Sequence, residues 1–451
     1  MGQTSVMRLV IEPTTRRLAG ELSIPDSKYH AHRALILASL AHGESRIAGL
    51  THARHVRYTI DVLRALGTRI DVDGDSFVVR GGQYRARRRE ISVGSSGSTL
   101  YFMIGLASLA DAPVTILGQR YFQRRPVGPL LAALRQIGIR VASRGDTPPI
   151  TVQPSPPAGG TVHISGTLSQ WISGLLLVAP FARRRTTICI DGELNEKPYV
   201  ALTVRMMHDF GLAVEVAPDW RTFTIESRQR ARPATIALPP DISSAAFGLA
   251  VTALHPANVL FRNLTSLDYA RREHPEGRFL DIVREMGLPL EYDAKSAAIR
   301  TRHDGIRLRG VTADCREMPD MLPILCTLGT FASGKTVLRN INHVRLKESD
   351  RVAAMEQLNA VGGQVDVDRD TLTIRGIDEL LGGRLSSHND HRVLMSLAIA
   401  ATRASGRTEL TYPNAYRISY PDFLEQMNGI GNEMSVEASA ESARAELHAL
   451  K

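Results

Sequence analysis

Residues 345–358 read Arg-Leu-Lys-Glu-Ser-Asp-Arg-Val-Ala-Ala-Met-Glu-Gln-Leu, and the organisation of the whole chain can be worked out from them. Leu346, Val352, Ala353, Met355 and Leu358 follow helical rather than strand spacing, and Gly362-Gly363 stops the helix. Ser349 or Asp350 serves as N-cap, which leaves Lys347 and Glu348 just ahead of the helix and Arg351 in its first turn. A Lys, a Glu and an Arg within a few residues of a helix end suit a phosphorylated or carboxylated ligand beside a proton-transfer group, because the helix dipole there favours anions. Alone, such a string is more often a solvated charged turn. What distinguishes it is company: Asp320, Asp390-His391-Arg392 and Ser27-Lys28 stand in similar strand-to-helix settings.

Outward from this stretch the chain repeats itself. Six times it makes a small-polar turn and then an Ala/Leu-rich helix. The turns are Pro25-Asp-Ser-Lys28, Gly94-Ser-Ser-Gly-Ser98, Gly166-Thr-Leu-Ser-Gln170, Pro240-Asp-Ile-Ser-Ser244, Pro319-Asp320 and His388-Asn-Asp-His-Arg392. A second helix ending in Gly follows in most units (Gly67, Gly138, Gly211, Gly287, Gly362), then short alternating strands such as Arg69–Val72 with Ser76–Arg80. Each unit reads strand-helix-strand-helix-strand-strand, so the fold class is α/β or α+β with three units per lobe. The polar, aperiodic stretch Ser227–Pro233 is the expected boundary. That assigns residues 1–22 with 234–432 to one lobe, 23–233 to the other, and 433–451 to an Ala/Glu/Ser-rich tail expected as a loosely attached helix or disordered. Met7–Ile24 is strand-like and fits either lobe.

The 451 residues, 43% hydrophobic and 22% charged, give ample core for two or three domains. No run approaches the length of a membrane span and no signal-peptide pattern opens the chain, so a soluble cytoplasmic protein is expected. Cys189, Cys315 and Cys326 are widely spaced, match no metal motif and imply no disulfide framework. A net charge of +9 fits anionic small substrates as well as nucleic acid, and the basic runs Arg85–Arg89 and Arg183–Arg185 lack interleaved stacking aromatics. No nucleic-acid role is expected.

Several residues at these turns carry chemistry. Lys28 and Arg33 bracket one helix mouth, where His30 and His32 read as solvated helix-start histidines. The backbone around Gly97 can wrap an oxygen-rich group, although the loop is not a P-loop. Arg124-Arg125-Pro126 adds cations, and Gln170 can hydrogen-bond a carboxylate and a hydroxyl. Asp320 follows Pro at a helix start, where a carboxylate is commonly only a cap. Together Lys28, Arg125, Lys347, Arg351 and Arg392 are five cations at element ends, with Glu348 and Asp320 as candidate acid and base. Such a set suits a small polyanion that undergoes proton transfer.

Seven ordered motifs then resemble a known family. They are Arg125-Pro-Val-Gly-Pro-Leu, Lys197-Pro-Tyr-Val-Ala-Leu-Thr, Asp241-Ile-Ser-Ser-Ala-Ala, Pro319-Asp320, Arg345–Arg351, Asn389-Asp-His-Arg392 and Tyr420-Pro-Asp-Phe423. The chain resembles the enolpyruvyl transferases, and among them the EPSP synthases (3-phosphoshikimate 1-carboxyvinyltransferases), from Ser27 to about Met427. The resemblance implies two lobes, each of three βαβαββ units about a pseudo-threefold axis (an inside-out α/β barrel), closing on substrates held between them. It implies transfer of the enolpyruvyl group of phosphoenolpyruvate to an acceptor hydroxyl with release of phosphate, by a monomer with no metal or organic cofactor. By motif position, Lys28, Gly97, Arg125, Gln170, Arg351 and Arg392 meet the donor. Asp320 deprotonates the acceptor hydroxyl, while Glu348 with Lys28 handles the proton at the enol methylene. Tyr29, Arg33, Ser169, Gln170, Glu196, Tyr199, Asp320, His343 and Lys347 fall at acceptor-binding positions.

The departures from the family pattern gather on the acceptor side. Tyr29, Leu168 and Glu196 each replace a serine that in the family helps hold the shikimate phosphate; a leucine cannot bond it and a glutamate would repel it. His343 stands for an Asn, Arg54-His55 for an acidic pair, Ser95 for an Asn, Ser98 for a Thr and Tyr101 for an Arg. Ile418 replaces a donor-side lysine, with Arg417 adjacent. The expected activity is therefore enolpyruvyl transfer to an acceptor other than shikimate 3-phosphate, for example a nucleotide such as UMP in specialised biosynthesis. The alternatives are an authentic but divergent EPSP synthase, or a binding module that keeps the fold without turnover. The UDP-N-acetylglucosamine branch fits less well, because Gly118–Arg125 holds no cysteine.

Overall fold

The computed structural model describes residues 6–438 apart from Leu50. These fall into two compact units. Unit 1 holds the residues up to Pro25, Pro240–Arg272 and those from Glu276 on; unit 2 holds Asp26–Pro239 and Glu273–Pro275.

Each unit carries three four-stranded sheets, and all six share one order. A first strand pairs parallel with a second, and two more strands then add antiparallel beyond it, as a hairpin in five sheets and as Met7–Glu12 with Glu433–Ala438 in the sixth. In Glu90–Ser92, Val114–Leu117, Thr147–Val152, Val141–Arg144, for example, the first pair is parallel and the next two are antiparallel. A parallel pair needs a crossover, and in four of the six sheets that crossover is an Ala/Leu-rich helix. None of the described sheets closes into a barrel.

Helices Lys28–Leu40, Ile242–Leu254, Leu322–Thr330 and His391–Ala401 are buried at every position. Helices apolar nearly all round belong in a core, and the sheets around them alternate buried with exposed residues. The unit is thus built with helices inside and sheets outside. The second helices of the repeats end where Gly67, Gly138, Gly211, Gly287 and Gly362 take φ between 75° and 113°, a left-handed turn that costs glycine nothing.

Two first strands are exchanged. Leu18–Leu22 pairs with Ala257–Phe261 of unit 1, yet the chain runs on from it into helix Lys28–Leu40 of unit 2. Reciprocally, Thr235–Ala237 pairs with Arg46–Ala48 of unit 2 and leads into helix Ile242–Leu254 of unit 1. The chain therefore returns at Pro239–Pro240 rather than at the polar stretch Ser227–Pro233, because three more residues of ladder hold it to unit 2.

The segment Met7–Ile24 belongs wholly to unit 1: Met7–Glu12 pairs on one side with Thr408–Leu410 and on the other with Glu433–Ala438. That last strand corrects the expectation of a loose tail. Residues 433–438 pair residue for residue with the first strand, since Met434 and Val436 alternate with polar neighbours at strand period. Residues 439–451 lie outside the described residues. No helix among the described residues is long and apolar enough to cross a membrane.

Candidate active site

In unit 1 the starts of three core helices meet at two buried arginines. Asp350 caps helix Arg351–Glu356 by accepting from the Ala353 N–H, which places Arg351 in the first turn. The Arg351 guanidinium then reaches three carboxylates. Its Nε donates to Asp390 Oδ2 at 2.8 Å, Nη1 to Asp320 Oδ1 at 2.6 Å, and Nη2 to Glu348 Oε2 at 2.8 Å. Burial alone would pull this guanidinium down, but Asp390, Asp320 and Glu348 outweigh it and hold Arg351 well above the ordinary arginine value.

The second arginine, Arg392, donates from Nη1 to the Ser243 carbonyl at 2.8 Å and sets Nη2 3.8 Å from Asp320 Oδ2. Asp320 thus lies against two guanidinium groups, whereas Asp390 sits at the bottom, accepting also from Ser349 Oγ and the Arg392 N–H. Exposure sorts the group by depth: Arg351, Asp390 and Arg392 are buried, while the Asp320 and Glu348 side chains are 12% and 15% exposed. Buried cations below and two half-reachable carboxylates above give a surface that can bind an anion and exchange protons with it.

Asp320 is not a helix cap. It sits inside the 3-10 turn Pro319–Met321, which has no side-chain cap, and its carboxylate is spent on arginine instead. Its backbone N–H donates to Glu276 Oε1 at 3.3 Å. Glu276 is buried and gave no signal in sequence, being one acid in an irregular His-Pro-Glu-Gly turn. Lys347 and Glu348 follow the 3-10 turn Asn342–Leu346, in which His343 is buried.

Unit 2 gathers a second group at the starts of helices Lys28–Leu40, Gly97–Leu106 and Ser169–Val178. Arg125 Nη2 donates to Gln170 Oε1 at 3.3 Å, and Gln170 Nε2 donates to Ser98 Oγ at 3.0 Å. At Gly97 a Cβ would fall 2.3 Å from Arg125 Nη1, so a larger residue there would have to displace that guanidinium. Tyr101, at the family's arginine position, has its ring 5.5 Å from the Arg125 guanidinium and donates its hydroxyl to the Pro126 carbonyl.

On the neighbouring face Lys28 Nζ lies 5.0 Å from the Tyr29 ring, which meets Tyr199 and His274 edge-on, each at 5.3 Å between centroids. Arg33 donates to Thr203 Oγ1, the Tyr29 carbonyl and the Tyr199 carbonyl; burial pulls it down to about 9, still protonated at neutral pH. It fastens the two tyrosine backbones. Ser169 and Glu196 bond each other.

The histidines of this helix differ from expectation. His30 and His32 are buried rather than solvated, because the helix lies inside the unit. His30 Nδ1 bonds Ser27 Oγ, and His32 Nδ1 bonds Thr59 Oγ1, from which a chain of hydroxyls runs through Thr99 to Ser96. Burial first, then His55, Lys28 and Arg33, hold His32 well below the ordinary histidine value. His55 Nε2 bonds Ser95 Oγ, so two departures from the family pattern occur as a bonded pair. In unit 1, Ile418 is buried, while Arg417 is exposed and donates to the Tyr416 hydroxyl.

The chain matches the family model described as EPSP synthase (3-phosphoshikimate 1-carboxyvinyltransferase) over residues 13–427. Among curated proteins it is 33% identical over 437 residues to the 3-phosphoshikimate 1-carboxyvinyltransferase of Methanocaldococcus jannaschii, covering 95% of this chain and 100% of that one. It is 34% identical over 434 residues to the enzyme of the same name from Acetivibrio thermocellus, covering 95% and 99%. Among solved structures, EPSP synthase from Acinetobacter baumannii superposes with a TM-score of 0.78 at 22% identity, over 96% of this chain and 100% of that one. The enolpyruvyl transferase NikO from Streptomyces tendae gives 0.75 at 20%, over 97% and 100%. At these identities the two structures speak for the fold.

Proposed function

Because the chain belongs to the EPSP synthase family, and so is an enolpyruvyl transferase, we propose that it moves the enolpyruvyl group of phosphoenolpyruvate to a hydroxyl of an acceptor other than shikimate 3-phosphate. The observation that carries the reading is the cluster in which Arg351 joins Asp320 and Glu348 above Asp390. The chemistry needs two proton transfers beside an anion, and this cluster offers two carboxylates beside two cations.

In the proposed sequence Asp320 takes the proton of the acceptor hydroxyl as its oxygen bonds to C2 of the donor, and C3 gains a proton from Glu348. The product is a tetrahedral phospho-ketal. Loss of one C3 proton back to Glu348 then reforms the C2–C3 double bond as the C2–phosphate oxygen bond breaks and phosphate leaves. Lys28 is assigned to the same C3 proton transfer. Arg351, Arg392, Arg125, Gln170 and Gly97 are assigned to the donor, the guanidinium groups stabilising its moving charge. Tyr29, Arg33, Ser169, Glu196, Tyr199, His343 and Lys347 are assigned to the acceptor.

The altered acceptor is supported by Leu168, buried where a hydroxyl would be needed, and by the carboxylate of Glu196 bonded to Ser169. A second reading, an authentic shikimate-pathway enzyme, is favoured by relatives of that name at 33–34% identity. Phosphate release from phosphoenolpyruvate with shikimate 3-phosphate, UMP and a panel of sugar and nucleoside phosphates decides between them. Release at enzyme-like rates with shikimate 3-phosphate would sink the altered-acceptor reading; release only with another member of the panel would establish it.

A further inference from the structure

Helix Ser169–Val178 opens on Leu168, a residue with no acceptor to cap it. The Ser169 N–H and hydroxyl donate instead to one carboxylate oxygen, Glu196 Oε2, at 3.2 and 2.5 Å. Glu196 arrives from the start of another helix, Lys197–Asp209, in the left-handed region at φ 58° and ψ 33°. Few non-glycine residues adopt that conformation, so the surrounding packing holds it there. Leu168, Ser169 and Glu196 are all buried. The positive end of a ten-residue helix is thus already matched by an anion of the chain's own.

Lys197 Nζ lies 4.9 Å from the Trp220 ring centroid, and Arg33 donates to Thr203, Tyr29 and Tyr199. Beside Glu196, on the same helix, stands Tyr199, edge-on to Tyr29.

Resting on the acceptor assignment proposed above, we infer that Glu196 determines acceptor specificity. It stands in for an acceptor anion, so the acceptor is an alcohol with no phosphate or carboxylate against the Ser169 end of this helix. A phosphate brought there would face a buried like charge that salt and water screen poorly, and would find the Ser169 donors already taken.

The test titrates the full chain with shikimate 3-phosphate and with unphosphorylated shikimate, with and without phosphoenolpyruvate, for wild type, Glu196→Gln and Glu196→Ser. Glu196→Ser is expected to bind shikimate 3-phosphate at least roughly tenfold tighter than wild type, with shikimate moving by less than about twofold. Glu196→Gln keeps an acceptor for Ser169 without the charge, so it should fold as wild type and fall between the two. A residue that only caps a helix would lower the unfolding midpoint of the Ser variant and leave the ratio of the two affinities unchanged, which overturns the inference. So would a wild type that prefers shikimate 3-phosphate, or a failure of all three proteins to bind it. Phosphoenolpyruvate binding keeps the two readings apart: a wild type that does not bind this donor sinks the transfer reading, whereas donor binding with an unchanged ratio sinks only the role of Glu196.

Discussion

Arg351 holds two kinds of carboxylate, and substitution should tell them apart. Asp390 is buried and bonds Arg351 through both oxygens, at 2.8 and 3.3 Å. Removing its charge leaves a buried guanidinium short of a partner, a change that commonly costs 3–5 kcal/mol. Asp390→Asn is therefore expected to lower the unfolding free energy by about that much in urea titrations, and a loss under about 1 kcal/mol would refute the placement. Glu348 touches the same guanidinium from the 15%-exposed rim, where water can replace it. Glu348→Gln should keep the fold and donor binding and lose turnover by roughly 10²- to 10⁴-fold, the usual worth of a general acid or base. Phosphate release and donor titration check this together, and a variant that turns over normally would remove Glu348 from the chemistry. Lys347, Glu348 and Arg351 were legible in sequence because they crowd one helix start. Glu276 was not, because its bond to the Asp320 N–H spans 44 residues and rests on an irregular turn with no period to read.

Helices were legible wherever apolar residues repeat and a glycine follows, as at Gly362 after Arg351–Glu356 and its 3-10 extension. What periodicity could not give was the depth of an element. Helix Lys28–Leu40 carries His30 and His32, which read as solvent-facing, yet all thirteen of its residues are buried. Depth matters for the histidine at the end of helix Ile242–Leu254 as well. His255 bonds Thr402 Oγ1 through Nε2 at 2.8 Å, and burial, with Arg403 adding to it, lowers its pKa to about 4. The unfolded chain binds this proton near pH 6.5 and the folded chain does not until about pH 4. Above pH 6.5 the residue is neutral in both states and has no effect. Stability should then fall as the pH drops from 6.5 to 4, by about 3 kcal/mol at most from this group. In urea unfolding at pH 7.5 and 4.5, His255→Asn should show a smaller loss on acidification than wild type, by about 2 kcal/mol. Equal losses would mean that the imidazole is protonated in the folded state.

At the scale of the whole chain, the six repeats were visible in sequence but their strand exchange was not, because a first strand looks the same whichever sheet receives it. The exchange has a consequence for fragments. All three sheets of unit 2 are built from strands lying between Gly43 and Ala237, so residues 26–239 contain every strand their sheets need. Unit 1 is different. Met7–Glu12 is an inner strand of one of its sheets, bonded on both sides, and Leu18–Leu22 completes another. A chain of residues 240–438 therefore lacks strands from two of its three sheets and exposes ladder edges on Thr408–Leu410, Glu433–Ala438 and Ala257–Phe261. Residues 26–239 are expected to fold alone with a cooperative urea transition, and residues 240–438 to aggregate or unfold non-cooperatively. Joining residues 6–25 to the second fragment through a flexible linker should restore its transition, because those strands pair in register wherever they enter the chain. If 240–438 folds cooperatively without them, the two N-terminal strands are accessory and unit 1 holds together by its helices. If 26–239 fails, the core of unit 2 needs more than its own strands, and residues 273–275, which belong to it in space, are the first to add back.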